Sequence, residues 1–539
     1  MSAPFASVVR CLKLSVMSLS ATLALAGVAL AEDTAAPAAA STDSGQAQPQ
    51  QIDVNALLKD GQEALKNGDY EKALAAFDQL VPAFERASGS GGENAQKAYQ
   101  MLPSIYVLHA MALTGMREFD AADTEFKKVL DSNSEFLPAL LGRGKMRLEA
   151  QATELAAQDF QSVLEQDRTN QEALLGLGKC YALLQGYQQA IKPLTTVISK
   201  DDKNAEAYRF RAVANAGLSK LKQAHEDMDK SIQLDPEPYE TYFALGTIDL
   251  KEEKYNDAAK AFAEAIKRYK PKGDSDEPYV QGYLTKAAAL VEAGKVEKDE
   301  AKRLADYKEA IADCDTLLEQ LGDVPAYASA KAASEYRRAV CFRMMGKLGD
   351  AINGFSEAIK LNPDLGDAYF RRGICFFEMN ENDLALADFQ KASTLTYTDP
   401  RYPLWEGFTQ AKLNDYQEAI RAYGQAITES DRYTPAYVNR GLAYLMLGEY
   451  DKALADFDEA IRLEPTESDH YFKRGVVYEK KGKQQEAADS FSTAIKFNDK
   501  NVLAYRHAAS NLAALGHNDL AAEYRSKADS LAPKQQSTK

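Results

Sequence analysis

The chain has 539 residues, more than a single hydrophobic core ordinarily organises, so it requires several domains or a repeating unit. Acidic side chains outnumber basic ones 80 to 64, for a formal charge of −16, and no Lys/Arg block stands out. That balance argues against a nucleic-acid binder, which needs basic patches to neutralise phosphates.

The first 31 residues form a unit of their own. Arg10 and Lys13 precede the apolar run "LSVMSLSATLALAGVALA", which closes on Ala29-Leu30-Ala31 before Glu32 and Asp33. This is the pattern of a secretory signal over residues 1–31, with cleavage expected after Ala31. The alternative is an uncleaved membrane anchor, the only route by which the chain would meet a bilayer. Ser15, Ser18, Ser20 and Thr22 dilute a run barely long enough to span. Residues 32–51, "EDTAAPAAASTDSGQAQPQQ", have almost nothing to bury and read as a disordered lead-in.

From Val54 the chain repeats. Aligned on a small residue that opens the second helix of each pair, it yields Ala73, Ala122, Ala156, Ala190, Ala224, Ala258, Ala310, Ala351, Ala385, Ala419, Ala453, Ala487 and Ala521. Nine of the twelve steps are 34 residues, and the three longer ones are 49, 52 and 41. The first longer step holds "ASGSGGENAQ", and the second holds "KPKGDSDEP" and the charged "KVEKDEAKRLAD", read as insertions between or within repeats.

With the aligned Ala counted as position 20, repeat eleven places Tyr437 at 4, Gly441 at 8, Tyr444 at 11, Gly448 at 15, Tyr450 at 17, Ala453 at 20, Phe457 at 24, Ala460 at 27 and Pro465 at 32. A 34-residue period of two helices filled in this way resembles the tetratricopeptide repeat, and the resemblance covers about Val54 to Pro533. Repeats four, six and twelve are nearly as complete. Repeat two departs most, with Ala110 at 8 and Leu113 at 11, and repeat seven has an interrupted turn. Small residues at 8 and 20 let paired helices approach, aromatics at 4, 11 and 24 fill the space between layers, and Pro at 32 stops the second helix.

The resemblance implies an all-α fold, a right-handed α-solenoid of about thirteen helix-turn-helix repeats stacked on a shared core. The expected organisation is a first repeat over 52–87, a Gly/Ser loop over 88–95, repeats two to six over 96–270, an irregular seventh over 271–325, repeats eight to thirteen over 326–533, and a polar tail over 534–539. The last repeat reads as a cap, since Arg525 stands at position 24 where most repeats carry an aromatic.

Position 7 carries Arg143, Arg211, Arg338, Arg372, Arg440 and Arg474, on a face otherwise given to packing. Position 23 carries Asp159, Asp227, Asp313, Asp388 and Asp456. Pairing within a repeat serves four of the arginines, and pairing to the preceding repeat matches Arg338 with Asp313 and Arg474 with Asp456. A partly buried guanidinium requires such a carboxylate, so these arginines are read as structural rather than as a ligand site.

No active site is legible. His109, His225, His470, His507 and His517 share no metal-ligand spacing, "ASGSGGEN" lacks the Lys-Ser/Thr of a phosphate loop, "GLGKC" lies inside a repeat helix, and no carboxylate pair calls for a general acid and base. No catalytic residue, cofactor or metal is expected. Cys180, Cys341 and Cys375 fall at position 10, where a small residue packs, and are read with Cys314 as core thiols; Cys341 and Cys375 stand about one helix diameter apart, too far for a disulfide.

Positions 5, 9 and 12 form a second stripe on the first helices, about 120° from the packing stripe. In this family that stripe lines an inner, concave groove. Over repeats eight to twelve it holds Tyr336 and Val340, then Phe370, Ile374 and Phe377, then Leu404 and Phe408, then Val438, Leu442 and Leu445, then Phe472 and Val476. Repeats three to five place Lys145, Lys179 and Arg209 there instead. The apolar part is read as a groove for a protein or peptide partner, the alternative being packing between first helices. Co-chaperone members hold a partner's terminal carboxylate with Lys, Asn and Arg. Asn439 matches that Asn, but Leu404, Phe408 and Asp469 replace other members of the set, so that clamp is rejected. The function expected is a non-enzymatic protein-interaction scaffold in the periplasm or secreted, with a eukaryotic secretory lumen as the alternative compartment. The competing reading is an accessory subunit of a cell-envelope enzyme or a glycan- or peptidoglycan-associated complex.

Overall fold

In the computed structural model the described residues are 53–271, 277–396 and 398–531, and they form 26 α-helices and no strand. The expected signal (1–31), lead-in (32–51) and polar tail (534–539) lie outside them. The helices make thirteen helix-turn-helix pairs, and within each unit helices pack on their neighbours in sequence in the manner of an α-solenoid. No helix among the described residues is long and apolar enough to cross a membrane.

The repeat register is confirmed by burial. All thirteen alanines at position 20 have 0% exposure. Beside them Phe77, Phe126, Phe160, Phe262, Phe355, Phe389, Tyr423, Phe457 and Phe491, at position 24, are all buried. Each such ring contributes roughly 1.5–3 kcal/mol by leaving water. Position 8 sets how close the paired helices come: a Cβ on Gly407 would stand 2.4 Å from the Tyr423 ring, and one on Gly475 2.7 Å from Phe491. In the last repeat Arg525 is exposed, and its final helix, Asn518–Leu531, buries only Ala521 and Ala528.

The turn between paired helices is as regular as the core. Position 15 has a left-handed backbone in every repeat except the seventh. In repeat eleven Gly448 (φ 76°) ends the first helix, its N–H donating to the Leu445 carbonyl and the Glu449 N–H donating to the Tyr444 carbonyl at 2.9 Å. This pair of bonds satisfies carbonyls that the helix end leaves open. Glycine or asparagine supplies the conformation in repeats one and eight to thirteen, whereas Arg117, Gln151, Gln185, Ser219 and Glu253 adopt it in repeats two to six.

The chain divides into two compact units, 1–289 and 290–539, with the division inside the helix Val280–Val296 of the seventh repeat. The first unit holds repeats one to six and the second repeats eight to thirteen, together with the second helix of repeat seven.

Two expected insertions prove to be helix. The loop placed over 88–95 contracts to residues 90–92, because the extra residues lengthen the flanking helices, Tyr70–Gly89 and Glu93–Gly115. In "KVEKDEAKRLAD" only residues 297–299 leave the helix; the rest continues Val280–Val296 or opens Glu300–Leu321, where the Asp299 carboxylate accepts from the Lys302 N–H at 2.9 Å. Charged residues of high helix propensity lengthen an existing helix at less cost than they would close a loop. Cys180, Cys314, Cys341 and Cys375 are buried free thiols, and burial pushes Cys375 up to about 11 and Cys180 and Cys341 up to about 12.

A left-handed backbone costs an L-residue about 1 kcal/mol more than glycine. Gly448→Gln should therefore destabilise the chain by about that amount, and Gln185→Gly (φ 61°) should raise its melting temperature, both read by thermal unfolding.

Candidate functional site

The arginines at position 7 are the first candidates, and the structure consumes them. Arg440 donates from Nε to Asp456 Oδ2 at 2.9 Å and from Nη2 to Oδ1 at 2.7 Å, a two-pronged pair repeated by Arg143 with Asp159, Arg211 with Asp227 and Arg372 with Asp388. The other two arginines correct the expectation. Arg338 binds Asp315 and Glu335 rather than Asp313, and Arg474 binds Asp458 and Ser490 rather than Asp456. Asp315 and Asp458 lie at position 25 of the preceding repeat, on the opposite side of the second helix from position 23 and facing the next repeat. The free Nη1 of Arg372 and of Arg211 likewise reaches position 25 of the preceding repeat, at Ser356 (2.9 Å) and Thr195 (3.4 Å). In Arg211, Arg372 and Arg474 the guanidinium thus fastens its own helix pair with one edge and the preceding repeat with the other.

In repeats three to five of the first unit the stripe at positions 5 and 9 carries an ion-pair ladder. Lys145 meets Glu172 at 2.7 Å, Lys179 meets Glu206 at 2.8 Å, and Arg209 lies between Glu206 and Glu240 at 3.4 and 3.9 Å. Each glutamate stands at position 2 of its repeat, and Lys145 with Glu172, Lys179 with Glu206 and Arg209 with Glu240 each join one repeat to the next, so these cations do not present free positive charge. Burial raises the Glu240 carboxyl against the opposing pull of Arg209.

In the second unit the stripe is apolar, and the structure treats its members differently. Phe370, Ile374 and Leu404 are buried, while Tyr336, Phe377, Phe408, Val438, Leu442, Leu445, Phe472 and Val476 are partly buried. Phe370 packs against Tyr402 (ring centroids 4.8 Å) and Phe389 (5.9 Å), so the repeat core has already taken its area. Trp405 links Phe377 (5.5 Å) to Phe408 (5.6 Å) across repeats nine and ten. Val438, Leu442 and Leu445 lie together against Ala453, Phe457 and Val477, and Phe472 and Val476 lie against the core around Phe491. Tyr336 bonds Asp367 and Arg371 and packs on Phe355, apart from the Trp405 cluster.

One group escaped the sequence reading. His225, Asp249 and Glu252 converge from two repeats, with ligand atoms within 4.8 Å of one another. The available signal was Asp249, an acid at position 11 where repeat eleven carries Tyr444.

Family models of the tetratricopeptide repeat match residues 107–171, 147–214, 336–399, 434–467 and 469–501. Tetratricopeptide repeat protein 13 of Homo sapiens is 28% identical over 107 residues, 20% of this chain and 12% of that protein. Hsp70-Hsp90 organizing protein 1 of Glycine max is 25% identical over 212 residues, 37% of each. The chain thus spans well under half the length of either relative. Of solved structures, the APC/C hetero-tetramer Cut9–Hcn1 matches 82% of this chain and 96% of that chain at 14% identity and a TM-score of 0.33. YrrB, a TPR protein with an unusual peptide-binding site, matches 32% of this chain and 89% of that chain at 21% identity and a TM-score of 0.30.

The Asp456 side chain is 7% exposed and that of Arg440 23%, so the aspartate is the partner that cannot reach water. Arg440→Met should destabilise the chain by about 3 kcal/mol in denaturant titration, because it strands a buried carboxylate. At position 25 of repeat ten stands Gly424, where a Cβ would lie 3.7 Å from Arg440 Nη1. Gly424→Ser supplies the hydroxyl found at Ser356 and should add about 1 kcal/mol in the same titration.

Proposed function

Because the chain belongs to the tetratricopeptide repeat family, we propose that it is a non-enzymatic scaffold acting outside the cytoplasm, holding a segment of a partner protein against the first helices of repeats eight to twelve. The observation that carries this reading is the partly exposed row Val438, Leu442, Leu445, Phe472 and Val476, with Phe377 and Phe408 one repeat or two before it. These side chains recur at helical spacing on the face that the 4-7-8-11 packing stripe leaves aside, and an extended or helical segment laid along them would bury what the repeat core does not. Phe370, Ile374 and Leu404 form the floor beneath and contribute rigidity. A relative named for organizing Hsp70 and Hsp90 supports a protein as the partner class. Export rests on the residues that end at Ala31, with a bacterial periplasm as the first compartment and a eukaryotic secretory lumen as the second.

Leu445→Glu with Val476→Glu should reduce capture of the native partner from an envelope extract at least tenfold while helical content stays unchanged, since a few apolar anchors dominate such interfaces. Phe370→Glu should instead lower stability by roughly 3–5 kcal/mol, because it removes a ring from the core. Capture at wild-type affinity by the double variant removes this surface from the reading.

Amino-terminal sequencing of the chain recovered from an envelope fraction should start at Glu32. An intact start at Met1 in the membrane pellet identifies an anchor, and one in the cytoplasmic fraction removes export.

A further inference from the structure

We propose that His225, Asp249 and Glu252 form a zinc-binding site that ties repeat five to repeat six. His225 lies at position 21 on the second helix of repeat five, Leu221–Leu234. Asp249 and Glu252 lie at positions 11 and 14, in the last turn and at the C-cap of the first helix of repeat six, Tyr239–Lys251. Three residues apart on a helix, the two carboxylates share one side, and the packing of consecutive repeats brings the imidazole against them.

The distances from the imidazole suit one ion. His225 Nε2 is 3.1 Å from Glu252 Oε2 and 3.6 Å from Asp249 Oδ1. Tetrahedral zinc with bonds of about 2.1 Å holds its ligand atoms about 3.4 Å apart, so these separations bracket the required value. One nitrogen and two carboxylate oxygens match the ligand preference of zinc and leave a fourth position for water.

The argument rests most on Asp249. It is 5% exposed, its carboxylate accepts no hydrogen bond among the described residues, and its one ion-pair partner is His225 Nε2 at 3.6 Å. Buried carboxylates are ordinarily paired or coordinated. Position 11 is a packing position, filled by Tyr444 in repeat eleven, so an acid there gives up aromatic packing for something the core does not use.

The rival occupant of the site is a proton: an imidazolium at His225 would serve both carboxylates without metal. Lys254 also competes, because its ammonium lies 2.5 Å from Glu252 Oε2; its side chain is half exposed and free to swing away. These two alternatives define the test.

Zn2+ would be titrated calorimetrically into the full chain freed of metal by chelation, with Co2+ absorption reporting tetrahedral coordination. The expected result is one saturable Zn2+ per chain, weakened about tenfold or more by His225→Gln and by Glu252→Gln. Lys254→Ala, on an exposed side chain that leaves folding intact, should bind Zn2+ at least as tightly as the wild type, since a competitor is gone. Absence of saturable Zn2+ uptake by the wild type overturns the proposal in favour of the imidazolium. Equal uptake by His225→Gln and the wild type, with both melting alike, overturns it too, because the metal then sits elsewhere. Weaker uptake by Lys254→Ala has the same meaning.

Discussion

The contact between position 8 and the ring at position 24 is the constraint on which the other features rest. In the well-formed repeats a Cβ added at position 8 would fall within about 3 Å of that ring, as at Gly373 against Phe389 (2.8 Å) and Gly246 against Phe262 (2.7 Å). The ring therefore sets the separation of the two helices and seals the alanine at position 20 from water. The same closeness explains why an arginine can stand beside it. A Cβ added at Gly373 or Gly441 would also stand 3.2 or 3.4 Å from the Cβ of Asp388 or Asp456, so the aspartate at position 23 stands next to the ring and its carboxylate meets the guanidinium at position 7 across the helix pair. A buried charge is tolerated there because its partner is built into the geometry that buries it.

The two units apply one backbone plan to different chemistry. In the first, the stripe at positions 5 and 9 carries Lys145, Lys179 and Arg209, each neutralised by a glutamate at position 2 of a following repeat. In the second, it is aliphatic and aromatic. The polar ladder satisfies itself, since each of these cations has its acid at hand, whereas the apolar row packs against the core on one side and keeps part of its area exposed. Turn chemistry divides similarly. Five consecutive repeats of the first unit place non-glycine, non-asparagine residues in left-handed turns, each a cost of about 1 kcal/mol, while the second unit uses glycine or asparagine. Packing around position 24 outweighs that strain, because a single buried ring contributes more than one such turn costs.

The position-7 arginines also show that stacking between repeats is specified by polar groups as well as by apolar ones. Nη1 finds a carboxylate at Asp315 and Asp458, or a hydroxyl at Thr195 and Ser356. Position 25 therefore acts as an adjustable contact between neighbours, and the repeat can vary the acceptor without moving the arginine.

Much of this molecule was readable one residue after another. The 34-residue period, the alanine register, the rings at position 24, the turn after the first helix and four of the six Arg–Asp pairs all follow from contacts inside one helix pair, and such contacts leave their spacing in the sequence. What the sequence could not determine depends on how one pair lies on the next. It did not show that Arg338 and Arg474 reach position 25 rather than 23, because both acids lie on the same helix and only the neighbour's placement selects the face. Nor did it distinguish Phe370, closed over by Tyr402 of the following repeat, from Leu445, which keeps part of its surface, although both belong to one stripe. It also concealed the meeting of His225 with Asp249 and Glu252, residues whose separation along the chain matches no ligand motif. Spacing within a helix pair is dictated by helical geometry, but burial and ligand geometry between pairs arise only when the repeats stack, and that is decided by tertiary structure.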